Sequence, residues 1–222
     1  MSIYQGTLVK KLIYPLALAG LLAAGTAAAD GFALGAKAGT LGLGLEGTKG
    51  LTDKFNLRLG LNSYSYEFDE DASGIRYDAE FDLKSTAAII DWHPFSGSFR
   101  LSAGFVHNKN QVTLTARPSG NVTIGNTVYS PAAAGTISGD VKFKSGAPYA
   151  GIGFGNAVSK GVPFGVTFEV GVLFQGSPDV SLRSNSPLVS ESDLRREEQE
   201  AEADLEDFKT YPVISLGISY RF

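Results

Sequence analysis

The chain has 222 residues, 19 Lys+Arg against 23 Asp+Glu for a net charge of −4, and 27 Gly, 14 Phe, 9 Tyr and no Cys. The missing cysteines exclude a disulfide scaffold, a thiolate metal site, a Cys nucleophile and a lipid-modified N-terminal Cys, and the mild acidity lacks the basic stripe of a nucleic-acid binder. High Gly and aromatic content with few charges suits a β-rich chain with close backbone packing.

The first element is an export signal. Lys10 and Lys11 precede an apolar run from Leu12 to about Ala24, and small residues end at Ala27-Ala28-Ala29 before Asp30. This is the order of a cleaved secretory signal, so residues 1–29 are set aside and the mature chain carries net −6. Beyond residue 29 no window approaches the ~20 consecutive apolar residues of a spanning helix. The chain instead alternates with period two. Residues 31–50 are split at 38–41 into Phe32–Ala38 and Leu41–Thr48. Then Phe55, Leu57, Leu59 and Leu61 oppose Asn56, Arg58, Gly60 and Asn62. Tyr77, Ala79, Phe81 and Leu83 oppose Asp78, Glu80, Asp82 and Lys84. Phe99, Leu101, Ala103 and Phe105 oppose Arg100, Ser102 and Gly104. Phe164 to Phe174 and Ile214 to Phe222 repeat the pattern. In strand geometry each set lies on one face.

A soluble sandwich also alternates, apolar inside and polar outside. Export, a nearly continuous apolar face on each strand, aromatics near strand ends and a terminal Tyr220-Arg221-Phe222 favour the inverse, with the apolar face toward lipid. Turn segments alternate short (50–54, 94–98, 156–163) and long (69–74, 117–135, 184–208), as periplasmic turns and outer loops do. The expected fold is all-β, an eight-stranded antiparallel transmembrane β-barrel over 30–222 with an acidic outer loop at 184–208. Its expected partners are outer-membrane lipid and the barrel-assembly machinery, the latter through Tyr220 and Phe222.

An eight-stranded barrel is narrow enough for side chains to fill it. The polar faces make Lys37, Glu46, Arg58, Glu80, Asp82, Lys84, Arg100, Glu169 and Arg221 the candidate lumen-lining residues. Their near balance of sign suggests a charge-paired plug, and a polar solute path is the sharper alternative. Arg58→Ala is expected to leave insertion intact. Gly42-x-Gly44-x-x-Gly47 matches a dinucleotide fingerprint literally but lies inside a strand rather than between strand and helix. Gly151, Gly153 and Gly155 share one parity, where a bulky neighbour would need space. His93 and His107 are far apart and make no metal cluster, and His107 has no Ser two positions on for a hydrolase, so neither an enzyme nor a metal or other cofactor is expected. Ser190–Phe208 carries nine acids and two arginines. Ser190-x-x-Asp193 can cap a helix there, and Glu197, Glu198, Glu200 and Glu202 are candidates for a cation-attracting vestibule.

Several segments carry a family resemblance: Ile75-x-Tyr77-Asp78, Thr123 to Tyr129, Ala147-Pro148-Tyr149-Ala150-Gly151-Ile152-Gly153-Phe154, Gly171, and Gly176-Ser177-Pro178-Asp179-Val180-Ser181-Leu182. In order and spacing they resemble the small carbapenem-associated outer-membrane proteins described as ornithine-uptake porins. The resemblance implies an eight-stranded outer-membrane barrel and passage of ornithine or other basic amino acids. The functional expectation is a narrow porin for small cationic solutes, with a non-conducting structural or surface-interaction barrel as the alternative.

Overall fold

The computed structural model describes residues 31–222 apart from 73 and 162, so the expected signal segment and its cleavage site lie outside the described residues. In chain order the elements are β1 (Phe32–Gly39), β2 (Gly42–Gly50), β3 (Phe55–Ala72), β4 (Ile75–Trp92), β5 (Phe99–Asn108), β6 (Gln111–Pro118), β7 (Val122–Ile124), β8 (Thr127–Tyr129), α1 (Pro131–Ala134), β9 (Ile137–Lys142), β10 (Gly146–Phe154), β11 (Phe164–Phe174), β12 (Asp179–Ser184), α2 (Glu191–Asp204), a 3-10 turn (Glu206–Lys209) and β13 (Thr210–Arg221).

Eight of these strands close a ring in the order β1-β2-β3-β4-β5-β10-β11-β13, and β13 returns to β1 from Ala33↔Arg221 to Gly39↔Ser215. Every adjacent pair is antiparallel, so the ring has no unpaired edge through its wall. The split of residues 31–50 is met by β1 and β2, which pair from Phe32↔Lys49 to Gly39↔Gly42.

Alternation places the apolar parity outside. Leu59 is 55% exposed, Phe164 72% and Ile218 67%, while Arg58 and Glu169, one position away from an apolar neighbour, are 4% and 3% exposed. That is the reverse of a soluble core and suits a ring solvated by hydrocarbon. Aromatic pairs gather toward the end of the ring that holds the three short turns. They are Phe55–Trp92 at 6.4 Å, Phe95–Phe99 at 6.2 Å, Phe99–Phe154 at 6.4 Å and Phe164–Tyr220 at 5.1 Å between ring centroids. They form the aromatic belt expected at a membrane interface.

The other end differs from expectation. β3 and β4 are each 18 residues long and remain paired to Ala72↔Ile75, well beyond the ~9–11 residues a tilted spanning strand needs. The segment 69–74, expected as a loop, is therefore mostly strand. β5 leaves β4 at Ser85↔Asn108, and β6 takes its place from Asp82↔Gln111 to Ile75↔Pro118. β9 then pairs with β6, and β12 with β9. The two long loops thus contribute the strands of an outer sheet, β3-β4-β6-β9-β12, that grows directly from the barrel wall.

Candidate functional site: an ion-paired layer and an outer sheet

Five of the expected lumen residues meet inside the ring. Arg58 on β3 lies 3.4 Å from Glu46 (β2), 3.0 Å from Asp91 (β4) and 2.6 Å from Glu169 (β11). Arg100 on β5 also reaches Glu169 at 2.6 Å and Asp91 at 3.6 Å, and Lys37 on β1 reaches Glu46 at 3.2 Å. Three cations thus face three carboxylates, each side chain largely removed from water. The layer is further tied down. Ser102 Oγ donates to Asp91 at 2.6 Å, the Tyr149 hydroxyl donates to Glu169, and Arg100 Nη1 donates to the Gly155 carbonyl at 2.7 Å. Such satisfaction is what allows charges to stay buried.

Asp91 was not among the candidates. Its signal was available, since it continues the inward parity of Ser85, Ala87 and Ile89. Tyr149 was likewise unmarked. Its ring explains the glycines around it, because a Cβ on Gly151 or Gly171 would lie 2.4 Å from the Tyr149 hydroxyl. Gly153 leaves room for Arg100 in the same way, and Gly44 for Asn62. In the Gly42-x-Gly44-x-x-Gly47 run, Gly44 faces inward and Gly47 faces Phe32 and Leu34 on the outside, so the run belongs to a strand, not to a nucleotide loop.

Toward the outer sheet the interior becomes apolar. Leu41, Ala87, Ile89, Val106, Ala147, Leu173 and Val213 pack with Tyr149 as one buried cluster. Toward the short turns, Asn56 bonds His93 Nε2 at 3.1 Å and Asn156 at 3.1 Å, while His93 Nδ1 meets the Gly97 carbonyl at 2.8 Å. Polar, ionic and apolar layers follow one another across the ring.

Three expected lumen residues belong elsewhere. Glu80, Asp82 and Lys84 share the parity of Thr86, Ala88, Ile90 and Trp92, which face outward, and they lie on the part of β4 that pairs with β6 or sits at the branch. The assignment inverts because the apolar set changes parity along β4. It is even from Thr86 onward, where lipid lies outside, and odd before Lys84, where Ala79, Phe81 and Leu83 continue the inner face. Their contacts are on the outer surface. Lys84 pairs with Asp82 at 3.0 Å, and Ser65 donates to Asp82 at 2.5 Å. Arg221 keeps the inward parity at the short-turn end and donates to the Ser159 carbonyl at 3.2 Å. His107 faces outward beside Lys84 and Lys109 on a cavity of about 170 Å³ at the branch between β4 and β5. Among the described residues, no three His, Cys, Asp or Glu side chains converge as a metal site.

The acidic helix is docked rather than free. Ser190 caps α2, accepting from Asp193 N at 3.1 Å. Glu198 and Glu202, one turn apart, accept the main-chain N–H groups of Leu182 (2.6 Å) and Val180 (3.1 Å) on β12. Glu197 accepts from Gly125 N at 2.9 Å, and Glu200 pairs with Arg196 at 3.0 Å. The helix therefore closes one edge of the outer sheet with its own carboxylates. The hydroxyls of Tyr129 and then Ser190, both bonded to Asp193, hold that carboxyl below its ordinary value.

A closed antiparallel ring with an apolar outer belt, an ion-paired interior and strand-borne outer extensions defines an outer-membrane β-barrel; no helix among the described residues is long and apolar enough to span a bilayer. Two solved structures from Acinetobacter baumannii share this build. The CarO2 structure superposes with a TM-score of 0.59 at 26% identity, covering 86% of this chain and 98% of that one. The CarO structure gives 0.56 at 23%, covering 86% and 97%. Neisserial surface protein A is more distant, at 0.30 and 13%. The resemblance to the carbapenem-associated outer-membrane proteins is thus present in three dimensions over most of the chain. No family model and no curated protein sequence matches.

Proposed function

We propose that this chain is an integral outer-membrane barrel whose lumen is held shut and whose working surface is the outer sheet. The supporting observation is the layer of Lys37, Arg58 and Arg100 against Glu46, Asp91 and Glu169, backed by the apolar cluster around Val106 and Leu173. A solute crossing this layer must separate Arg58 from three carboxylates. Breaking a buried pair leaves an uncompensated charge and costs about 3–5 kcal/mol. No catalysis forms part of this reading.

A second reading, uptake of small cationic solutes such as ornithine or lysine, draws on the resemblance to the carbapenem-associated proteins and on carboxylates that would receive an ammonium group inside the ring. Planar-bilayer recording separates the two. The closed-lumen reading expects no unitary conductance in salt, and none on adding ornithine or lysine. Reproducible steps that respond to ornithine would carry the uptake reading instead. Within the same proposal, Tyr220 and Phe222 are the residues that the barrel-assembly machinery reads, and removing Phe222 should lower the amount of protein recovered in the outer membrane.

A further inference from the structure

We propose that the outer half of β3, Tyr64–Asp71, is a docking edge for an extended cationic peptide segment with alternating basic and apolar residues, added as a further strand of the outer sheet. This deepens the reading of the outer sheet as the working surface and is independent of whether the lumen conducts.

The edge exists because two neighbours of β3 have different lengths. β2 stops pairing at Leu43↔Ser63, whereas β4 accompanies β3 to Ala72↔Ile75. Among the described residues, no strand pairs with the other side of 64–72. In an antiparallel strand every second residue turns its N–H and C=O away from the existing partner. The eight residues expose roughly 27 Å of such edge. All but Phe68 are exposed, Tyr66 to 54%. The opposite edge of the same sheet, β12, is closed by Glu198 and Glu202 of α2. Proteins cover or charge their open edges to prevent pairing, and this edge is charged only.

The charges and rings state what would fit. Ser65, Glu67, Asp69 and Asp71 lie on one face, and Tyr64, Tyr66, Phe68 and Glu70 on the other, with Tyr66–Phe68 and Phe68–Phe81 stacked at 6.3 and 6.0 Å. Across the β3–β4 ladder Glu67 sits opposite Glu80, and Asp69 opposite Asp78. Asp78 already pairs with Arg76 and Arg117, so it is the run of acids along the strand, Glu67, Asp69, Glu70 and Asp71, that favours basic side chains on an added strand. Apolar side chains of the same strand would lie beside the Tyr64–Tyr66–Phe68 ladder. A second copy of this chain fits poorly, because antiparallel pairing of two such edges sets acids against acids.

The test uses the mature protein in detergent and a labelled octapeptide of alternating Lys and Val. In a strand, the Lys amides point to one edge and the Val amides to the other. N-methylating one set should therefore weaken binding at least about tenfold, while methylating the other set leaves it nearly unchanged, as main-chain pairing requires. The double variant Glu67→Lys/Asp69→Lys should also weaken binding of the unmodified peptide. Equal affinity of the two methylated peptides, whether both bind or both fail, would overturn the strand-pairing claim. So would absence of binding by the unmodified peptide. Disulfide-linked dimers from Ser65→Cys, in a chain that otherwise has no cysteine, would assign the edge to a second copy and overturn the peptide assignment. The peptide measurements need no current, so their failure is distinguishable from failure of the closed-lumen reading.

Discussion

Arg58 and Leu59 are chain neighbours with opposite surroundings, and they separate two kinds of cost. Leu59 faces outward at 55% exposure. Leu59→Arg places a charge in hydrocarbon and should destabilise the barrel by about 2–4 kcal/mol near mid-membrane. Arg58 sits among Glu46, Asp91 and Glu169. Its removal leaves those carboxylates without their main partner, so Arg58→Ala should cost about 3–5 kcal/mol. The expectation from sequence was that Arg58→Ala leaves insertion intact while unbalancing the lumen charge; the three contacts add a stability cost to that change. Urea titration of the folded, heat-modifiable band checks both; an Arg58→Ala barrel as stable as the parent would show that the layer is hydrated. Gly151 supplies a steric counterpart. Gly151→Ala should cost about 1–3 kcal/mol by overpacking, and Tyr149→Phe in the same chain should recover part of the loss, because the contact is with the Tyr149 hydroxyl.

At the level of elements, α2 depends on carboxylates that must stay ionised. The bond from Tyr129 leads in lowering the Asp193 pKa below its ordinary 3.8. A depressed folded value means that the contribution to docking is fully present above about pH 3.8 and is lost as pH falls through the folded value. Hydrogen exchange in the first turn of α2, beside Asp193, should therefore remain slow at pH 5 and quicken only as pH falls below about 3.8. Glu198→Ala/Glu202→Ala should quicken exchange at Val180 and Leu182 at neutral pH, with no comparable change in β1 or β13. Neutralising the vestibule candidates Glu197, Glu198, Glu200 and Glu202 to Gln tests cation attraction through the flux of ornithine or lysine. It would also loosen this clamp, so altered cation flux in that variant needs the exchange data beside it.

The alternation of β1, β2, β3, β5, β11 and β13 was legible because lipid imposes a strict period of two on residues such as Leu57, Leu59 and Leu61. The capped helix was legible from Ser190 and Asp193. The strands β6, β9 and β12 were not, since Gln111–Pro118 and Ile137–Lys142 are short and polar and owe their strand state to pairing, β6 with β4 and β9 with β6 and β12. Glu80, Asp82 and Lys84 were misplaced for a physical reason. Alternation identifies two faces but carries no sign, and the sign depends on whether lipid or the inner side meets the apolar set. Five of the six charges of the ion-paired layer were visible on lumen parity, all but Asp91; their convergence came only from the closure of the ring.

For the molecule as a whole, the layers predict a barrel that resists detergent until boiled, because its wall is fully paired and its interior is filled. An unshifted band without boiling would contradict that closure. One further consequence follows from the change of parity on β4. A strand that turns Trp92, Ile90 and Ala88 outward on one side of Thr86 and charged side chains, Lys84, Asp82 and Glu80, outward on the other has its waterline written between them. The bilayer surface must cross the β3–β4 hairpin near Leu61 and Thr86, leaving about ten residues of each strand standing above it. Fluorescent labels on cysteines placed at Ala88 and at Glu80 should be quenched by brominated lipid at the first position only. The chain thus sets its own depth of immersion, and the outer sheet begins where the lipid ends.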